Sequence, residues 1–247
     1  MGREGQVSAL LIISAVVLIT IGLVAVMKSP DRTSLPAHKA QTEDPIPEQT
    51  RQFVTACLQS TLEDGVRFVA NRGGYYPPLP EMEAYEKIVP FYRTPKYSRI
   101  PTDTEISRSI ERYVQDGIWT CLDEFDTFKR TGVTINTGKP TARATIRSRD
   151  VIIEAQMPIT IDQDGRTTTI DDFQASTQIR LPEMAVIARE ATGAQDAVAF
   201  DRFEDLLREP GFKGSIMIDN ETVVYMITDP ASKMTFGAAV KNRGVAR

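Results

Sequence analysis

The chain has 247 residues, with 29 basic and 33 acidic side chains that leave a net charge of −4. That balance supplies no basic field for a polyanion, so nucleic acid is excluded as the expected partner. With one histidine and two cysteines, Ser-His-Asp and Cys-His nucleophile systems and histidine-based zinc sites are excluded as well.

After a short flank, residues 1–6, residues 7–27 (VSALLIISAVVLITIGLVAVM) carry no charge. At about 1.5 Å of rise per residue this stretch matches a hydrocarbon core of roughly 30 Å. It exceeds the roughly 7 to 15 apolar residues of a secretory signal, and no A-x-A cleavage pattern follows it. The expectation is a retained, single-pass helix in the cell membrane. Arg3 against Lys28, Arg32 and Lys39 leans towards a cytoplasmic C-terminus, but large domains translocate largely regardless of charge, and a cysteine pair suits an oxidising exterior. The domain is therefore expected outside the membrane.

Residues 28–47 hold four prolines and His38. Proline fixes φ and lacks an N–H, so this stretch reads as a linker. Residues 48–247 then read as one extracytoplasmic α+β domain, in which a sub-boundary could fall near 180–196.

From Glu48, apolar or small residues recur at helical spacing: Val54, Cys57, Leu58, Thr61, Leu62, Gly65, Val66 and Val69, ending at Gly73 and Gly74. Residues 75–102 hold six prolines and five tyrosines, which predicts a long loop without regular structure. A second helix starts where Thr102 or Asp103 can cap it, with Glu105 in its first turn. Its stripe is Ile106, Ile110, Tyr113, Val114, Ile118, Cys121, Leu122, Phe125 and Phe128, ahead of Gly132.

Beyond Gly132 the period drops to two. Val133 and Ile135, Ala144 and Ile146, then Val151, Ile153, Ala155, Ile159 and Ile161 lead to a turn at 162–165 and a strand returning to Ile179. Residues 182–192 and 196–208 read as helices, opened by Pro182 and closed by Pro210 and Gly211. Short strands follow at 215–218, 223–228 and 234–240. The fold class is thus α+β: two long helices packed on an antiparallel β-sheet, with further helices late in the chain.

Cys57 and Cys121 each lie on the apolar stripe of their own helix, so packing the stripes together brings both into one interior. They can bond there as a structural disulfide, or pack as two buried thiols. The 162–165 segment opens like a calcium loop, but Arg166, Thr167 and Phe173 occupy positions that such a loop gives to other residues. It reads as a hairpin turn, with Asp171 and Asp172 on opposite faces of the next strand, and no metal or cofactor is expected. The carboxylates Glu63 and Asp64, and Asp123, Glu124 and Asp126, fall on helix surfaces. No catalytic set is expected from them. The aromatic side chains Tyr75, Tyr76, Tyr85, Phe91, Tyr92 and Tyr97 can either form a binding surface on the 75–102 loop or pack it against its own domain. Asn220 opens an N-glycosylation sequon on a predicted turn.

Two resemblances follow. The start, with Arg3, Gly5, Gln6 and Ser8 before the apolar run, resembles class III signal peptides of archaeal pilin-like proteins. It implies processing between Gly5 and Gln6, although Leu10 stands where a filament subunit carries Glu. Residues 53–58 (FVTACL), 73–75 (GGY), 113–128 (YVQDGIWTCLDEFDTF) and 151–161 (VIIEAQMPITI) together resemble a group of single-pass, membrane-anchored archaeal surface proteins. That resemblance implies an address and an architecture, with no activity attached.

The leading expectation is a non-catalytic, membrane-anchored surface protein that binds another envelope protein or itself. A pilin-like filament subunit and an exported hydrolase working with carboxylates, Lys and Tyr are the alternatives.

Overall fold

A computed structural model of the chain describes residues 45–122, 132–193 and 200–241. The expected membrane span, its flank and the linker up to residue 44 lie outside the described residues. So do Phe125, Phe128 and the acidic group Asp123, Glu124 and Asp126.

Helix α1 (Pro45–Asn71) buries the whole apolar stripe read from the sequence, and Thr50 and Ala70 with it. It begins inside the stretch expected to be linker, because a first turn needs no N–H from Pro45 or Pro47. It stops where Gly73 and Gly74 turn to positive φ and the Gly74 N–H bonds the Val69 carbonyl at 2.8 Å. Helix α2 (Asp103–Leu122) opens with a capping box. Thr102 Oγ1 accepts from the Glu105 N–H at 3.3 Å, and Glu105 Oε2 accepts from the Thr102 N–H at 2.7 Å.

The two helices pack against each other, and glycine sets how closely. A Cβ on Gly65 would lie 2.7 Å from Tyr113 Cδ1, and one on Gly117 would lie 3.3 Å from Thr61 Cγ2. Each fully buried Leu, Ile or Val of the stripes contributes about 1.5–3 kcal/mol by leaving water.

Under the helices lies a sheet of β3 (Thr134–Thr137), β4 (Thr141–Ile146), β5 (Asp150–Gln163) and β6 (Arg166–Gln178). β5 is the long central strand. β6 pairs along one side of it, and β4 then β3 share the other side. The break between β3 and β4 at 138–140 faces Met157 and Pro158, where the β5–β6 register also shifts. Pro158 has no N–H to give either neighbour, so both ladders slip at the same place. The β5–β6 turn is Asp164 (φ 49°) and Gly165 (φ 78°), as expected for a two-residue hairpin of mirror-image twist.

Expectation and structure part over residues 75–102. The stretch supplies β1 (Ala84–Tyr85) and β2 (Val89–Arg93), and these join β7 (Lys213–Asp219), β8 (Thr222–Thr228) and β9 (Thr235–Lys241) in a second sheet ordered β1-β2-β9-β8-β7. β2 runs parallel to β9, so this sheet is mixed rather than antiparallel. Its hidden strand has a physical explanation: β2 contains Pro90, and its main partner lies far along the chain, so no local period betrays it.

Helices α3 (Leu181–Gly193) and α4 (Phe200–Arg208) pack on the second sheet, α3 against β8 and β9 and α4 against β7. Val223, Tyr225, Ile227, Phe236, Ala238 and Val240 join the main core from that side. The opposite face carries a separate small cluster of Val89, Phe91, Val224 and Ala239, roofed by Tyr85 and Met226. Tyr85 of β1 reaches Met217 of β7, its hydroxyl donating to Sδ at 3.4 Å. Strands lie about 4.8 Å apart in a ladder, so contact between opposite edges of a five-stranded sheet requires that it curl around this cluster.

Candidate functional site

Cys57 and Cys121 are joined in a disulfide with a Cα–Cα distance of 5.7 Å. It fastens α1 to α2, and those helices in turn hold the four-stranded sheet by its β6 and β4 edges. On the β6 side, Gln59 pairs with the backbone of Ser176: its Nε2 donates to the carbonyl at 3.0 Å and its Oε1 accepts from the N–H at 3.3 Å. Arg51 Nη1 donates to the Asp172 carbonyl at 2.9 Å. On the β4 side, the Ala144 N–H donates to Glu111 Oε1 at 2.9 Å, and Gln115 Nε2 donates to the Ala142 carbonyl at 3.3 Å. The free sides of β6 and β4 are thereby met by helix side chains.

Of the six loop aromatics, Tyr75, Phe91 and Tyr92 are buried, while Tyr76, Tyr85 and Tyr97 are half-buried and each makes a contact within the domain. The Tyr92 hydroxyl is buried and donates to the Gly73 carbonyl at 2.7 Å, and burial pushes its pKa well above 10. Tyr75 packs edge-on against Tyr92, and burial, with Glu105 nearby, raises its pKa to about 12. Tyr76 stacks with Phe68 and Tyr113 while its hydroxyl meets Asp116 at 3.3 Å. The Tyr97 hydroxyl accepts from the Glu83 N–H at 2.9 Å. Phe91 and Tyr85 belong to the small cluster on the second sheet. These side chains tie the proline-rich stretch down, which is why it can hold strands at all.

The structure also shows a buried ion pair that the sequence reading did not single out. Asp229, 2% exposed, accepts from Arg180 Nη2 at 2.7 Å, from Ser232 Oγ at 2.8 Å and from the Ala231 N–H at 3.2 Å. Burial pushes its pKa up, but the bonds from Arg180, Ser232 and Ala231 outweigh that and leave it below 3.8. Arg180 also donates to the Pro210 carbonyl at 2.6 Å and lies over the Phe212 ring at 4.0 Å. Every oxygen and nitrogen of note is thus committed to joining the β8–β9 turn to the start of α3. The one legible signal was Asp229 followed by Pro230, a turn dipeptide.

The open face of the four-stranded sheet forms a groove of about 620 Å³ along β4, β5 and β6. In it Arg143 faces Glu154, which pairs with Gln174, while Gln156 pairs with Asp172. These side chains are exposed, and Ala155 and Phe173 between them turn into the core. Glu154 and Asp172 lie on a diagonal, and the Arg143 charge beside Glu154 compensates rather than sharpens the acidic character. Such a face can hydrogen-bond a polar surface, but water screens its charges.

Asp162 accepts from Thr167 Oγ1 at 2.6 Å across the hairpin turn, and among the described residues no group of three His, Cys, Asp or Glu is placed to hold a metal. Asn220 is exposed on the β7–β8 turn with φ 51°, and Thr222 of its sequon is buried in β8. Gly5 and Gln6 lie outside the described residues, and no described helix is long and apolar enough to cross a membrane. No protein-family model, curated protein or solved structure matches the chain.

Proposed function

We propose that the chain is a non-catalytic, single-pass membrane protein whose disulfide-locked α+β domain stands outside the membrane and binds another component of the envelope. The observation that carries this reading is the Cys57–Cys121 bond, which uses both cysteines of the chain. Structural disulfides persist in oxidising compartments and are rare in the cytosol. It accords with an apolar stretch at 7–27 long enough to anchor the chain. Three of the groups with displaced pKa values, Tyr75, Tyr92 and Asp229, serve internal joints of the domain.

Protease shaving of intact cells carrying a C-terminal tag tests the topology. Loss of the tag from intact cells, with the anchor fragment retained in the membrane, is expected. A tag protected until the cells are lysed overturns the reading.

A further inference from the structure

β7 is an edge strand: among the described residues no strand pairs with it on the side away from β8, although α4 packs on its face and Tyr85 reaches the Met217 side chain, and it is more apolar than an edge normally is. Met217 is 49% exposed and Ile218 73%. A bare apolar edge is a template for another strand. The sequence of the strand, Lys-Gly-Ser-Ile-Met-Ile-Asp, says which strand.

The two-residue turn at Asn220 and Glu221 makes Asp219 and Thr222 a hydrogen-bonded pair. Alternation then turns the N–H and C=O of Gly214, Ile216 and Ile218 outward, away from β8. If a second copy of the strand is laid antiparallel with Ile216 opposite Ile216, Gly214 falls opposite Ile218 and both sets of outward groups meet. In that register Lys213 stands opposite Asp219 at each end, so the charges complement one another. The large side chain of Ile218 falls beside the residue without one. Gly214 is bare because α4 crowds it: a Cβ there would lie 2.5 Å from Leu207 Cδ1 and 2.9 Å from Phe203 Cε1. Next to it runs a groove of about 390 Å³ between α4 and β7, floored by Leu207 and Phe212.

We infer that β7 pairs with β7 of a second copy of this chain, in antiparallel register about Ile216, with Ile218 of each copy seated in the groove beside Gly214 of the other. Such a contact is isologous and closes on itself, giving a dimer rather than a filament. The inference stands on the α+β domain alone and holds whichever side of the membrane carries it.

Cysteine crosslinking of the full chain in its membrane tests it. Both native cysteines are bonded, so an introduced thiol is the one that reacts. Under mild oxidation Ile216→Cys is expected to give a disulfide dimer in large excess over Val186→Cys, a control on α3 that is more exposed than Ile216 itself. A mixture of differently tagged Ser215→Cys and Met217→Cys chains is expected to crosslink roughly fivefold more than either alone, because directly opposed residues come within disulfide reach and diagonal ones do not. Ile216→Cys dimers no more abundant than those of Val186→Cys overturn the inference. So does the absence of a preference in the mixture, or a crosslink to a protein of different mass.

Discussion

At the edges of the four-stranded sheet, β6 is closed by Gln59 and Arg51 and β4 by Glu111 and Gln115. At the edge of the five-stranded sheet, β7 shows its backbone and two large apolar side chains to solvent. Among the described residues, the chain thus spends four helix side chains on the edges of one sheet and none on the β7 edge of the other. An uncovered edge invites unwanted pairing, so the contrast is informative: it marks β7 as the edge with a use. What permits the sealing is that α1 and α2 flank the first sheet and are bonded to each other, whereas α4 packs on β7 from one face and leaves its edge open.

The largest effect on this contrast is expected from the disulfide. Cys57→Ser or Cys121→Ser should lower stability by about 4 kcal/mol in the chain-entropy model, because the bond closes a separation of 64 residues. With it the sealed edges lose the platform that positions their caps. Thermal unfolding with and without reductant measures this, and equal melting temperatures would refute it.

Next in size is the joint beneath the second sheet. Arg180→Leu leaves the Asp229 carboxylate buried beside only Ser232 and two backbone N–H groups, and removing one partner of a buried pair costs roughly 3 kcal/mol. Urea unfolding near neutral pH reads that loss. The same pair sets a pH dependence. Asp229 has a lower pKa folded than its ordinary 3.8, so its contribution is fully present above that value and is lost as pH falls through the lower, folded one. Wild type should therefore lose stability on acidification below about pH 4 more steeply than Asp229→Asn. Parallel curves for the two would place the acid-labile group elsewhere.

Much of the first sheet and its helices was legible because its signals are local. The Thr102 cap, the stripe through Val54 and Leu62, the alternation from Val151 to Ile161 and the turn at Asp164 and Gly165 each occupy a few neighbouring residues, and each appears where the pattern puts it. The second sheet was half legible: β7, β8 and β9 have the composition of short strands, but β2 is recognised only through its parallel pairing with β9, and Pro90 argues against a strand to any local reading. The disulfide could be read from two helical stripes, whereas the choice between bonding and free thiols needed their distance. The aromatic loop offered two uses, and only the inward hydroxyl of Tyr92 and the packing of Tyr75 and Phe91 decide how the side chains are placed. The Asp229–Arg180 pair and the edge caps join residues far apart in sequence, with no spacing to mark them.

The smallest expected effect separates the two edges most directly. Gln59→Ala and Glu111→Ala each remove hydrogen bonds to a strand edge that water can partly replace, so each should cost only about 0.5–1.5 kcal/mol. Hydrogen exchange is more telling than stability. In the native chain the Ser176 and Ala144 amides are tied to Gln59 and Glu111, and should exchange slowly for edge positions. The outward amides of Gly214, Ile216 and Ile218 should exchange fast in dilute chain, and slow down as concentration brings second copies together. Gln59→Ala should speed Ser176 alone and Glu111→Ala should speed Ala144 alone, with the β7 amides unmoved by either. If the β7 amides were already slow at high dilution, something within the chain would cover that edge, and the contrast between the two sheets would fall.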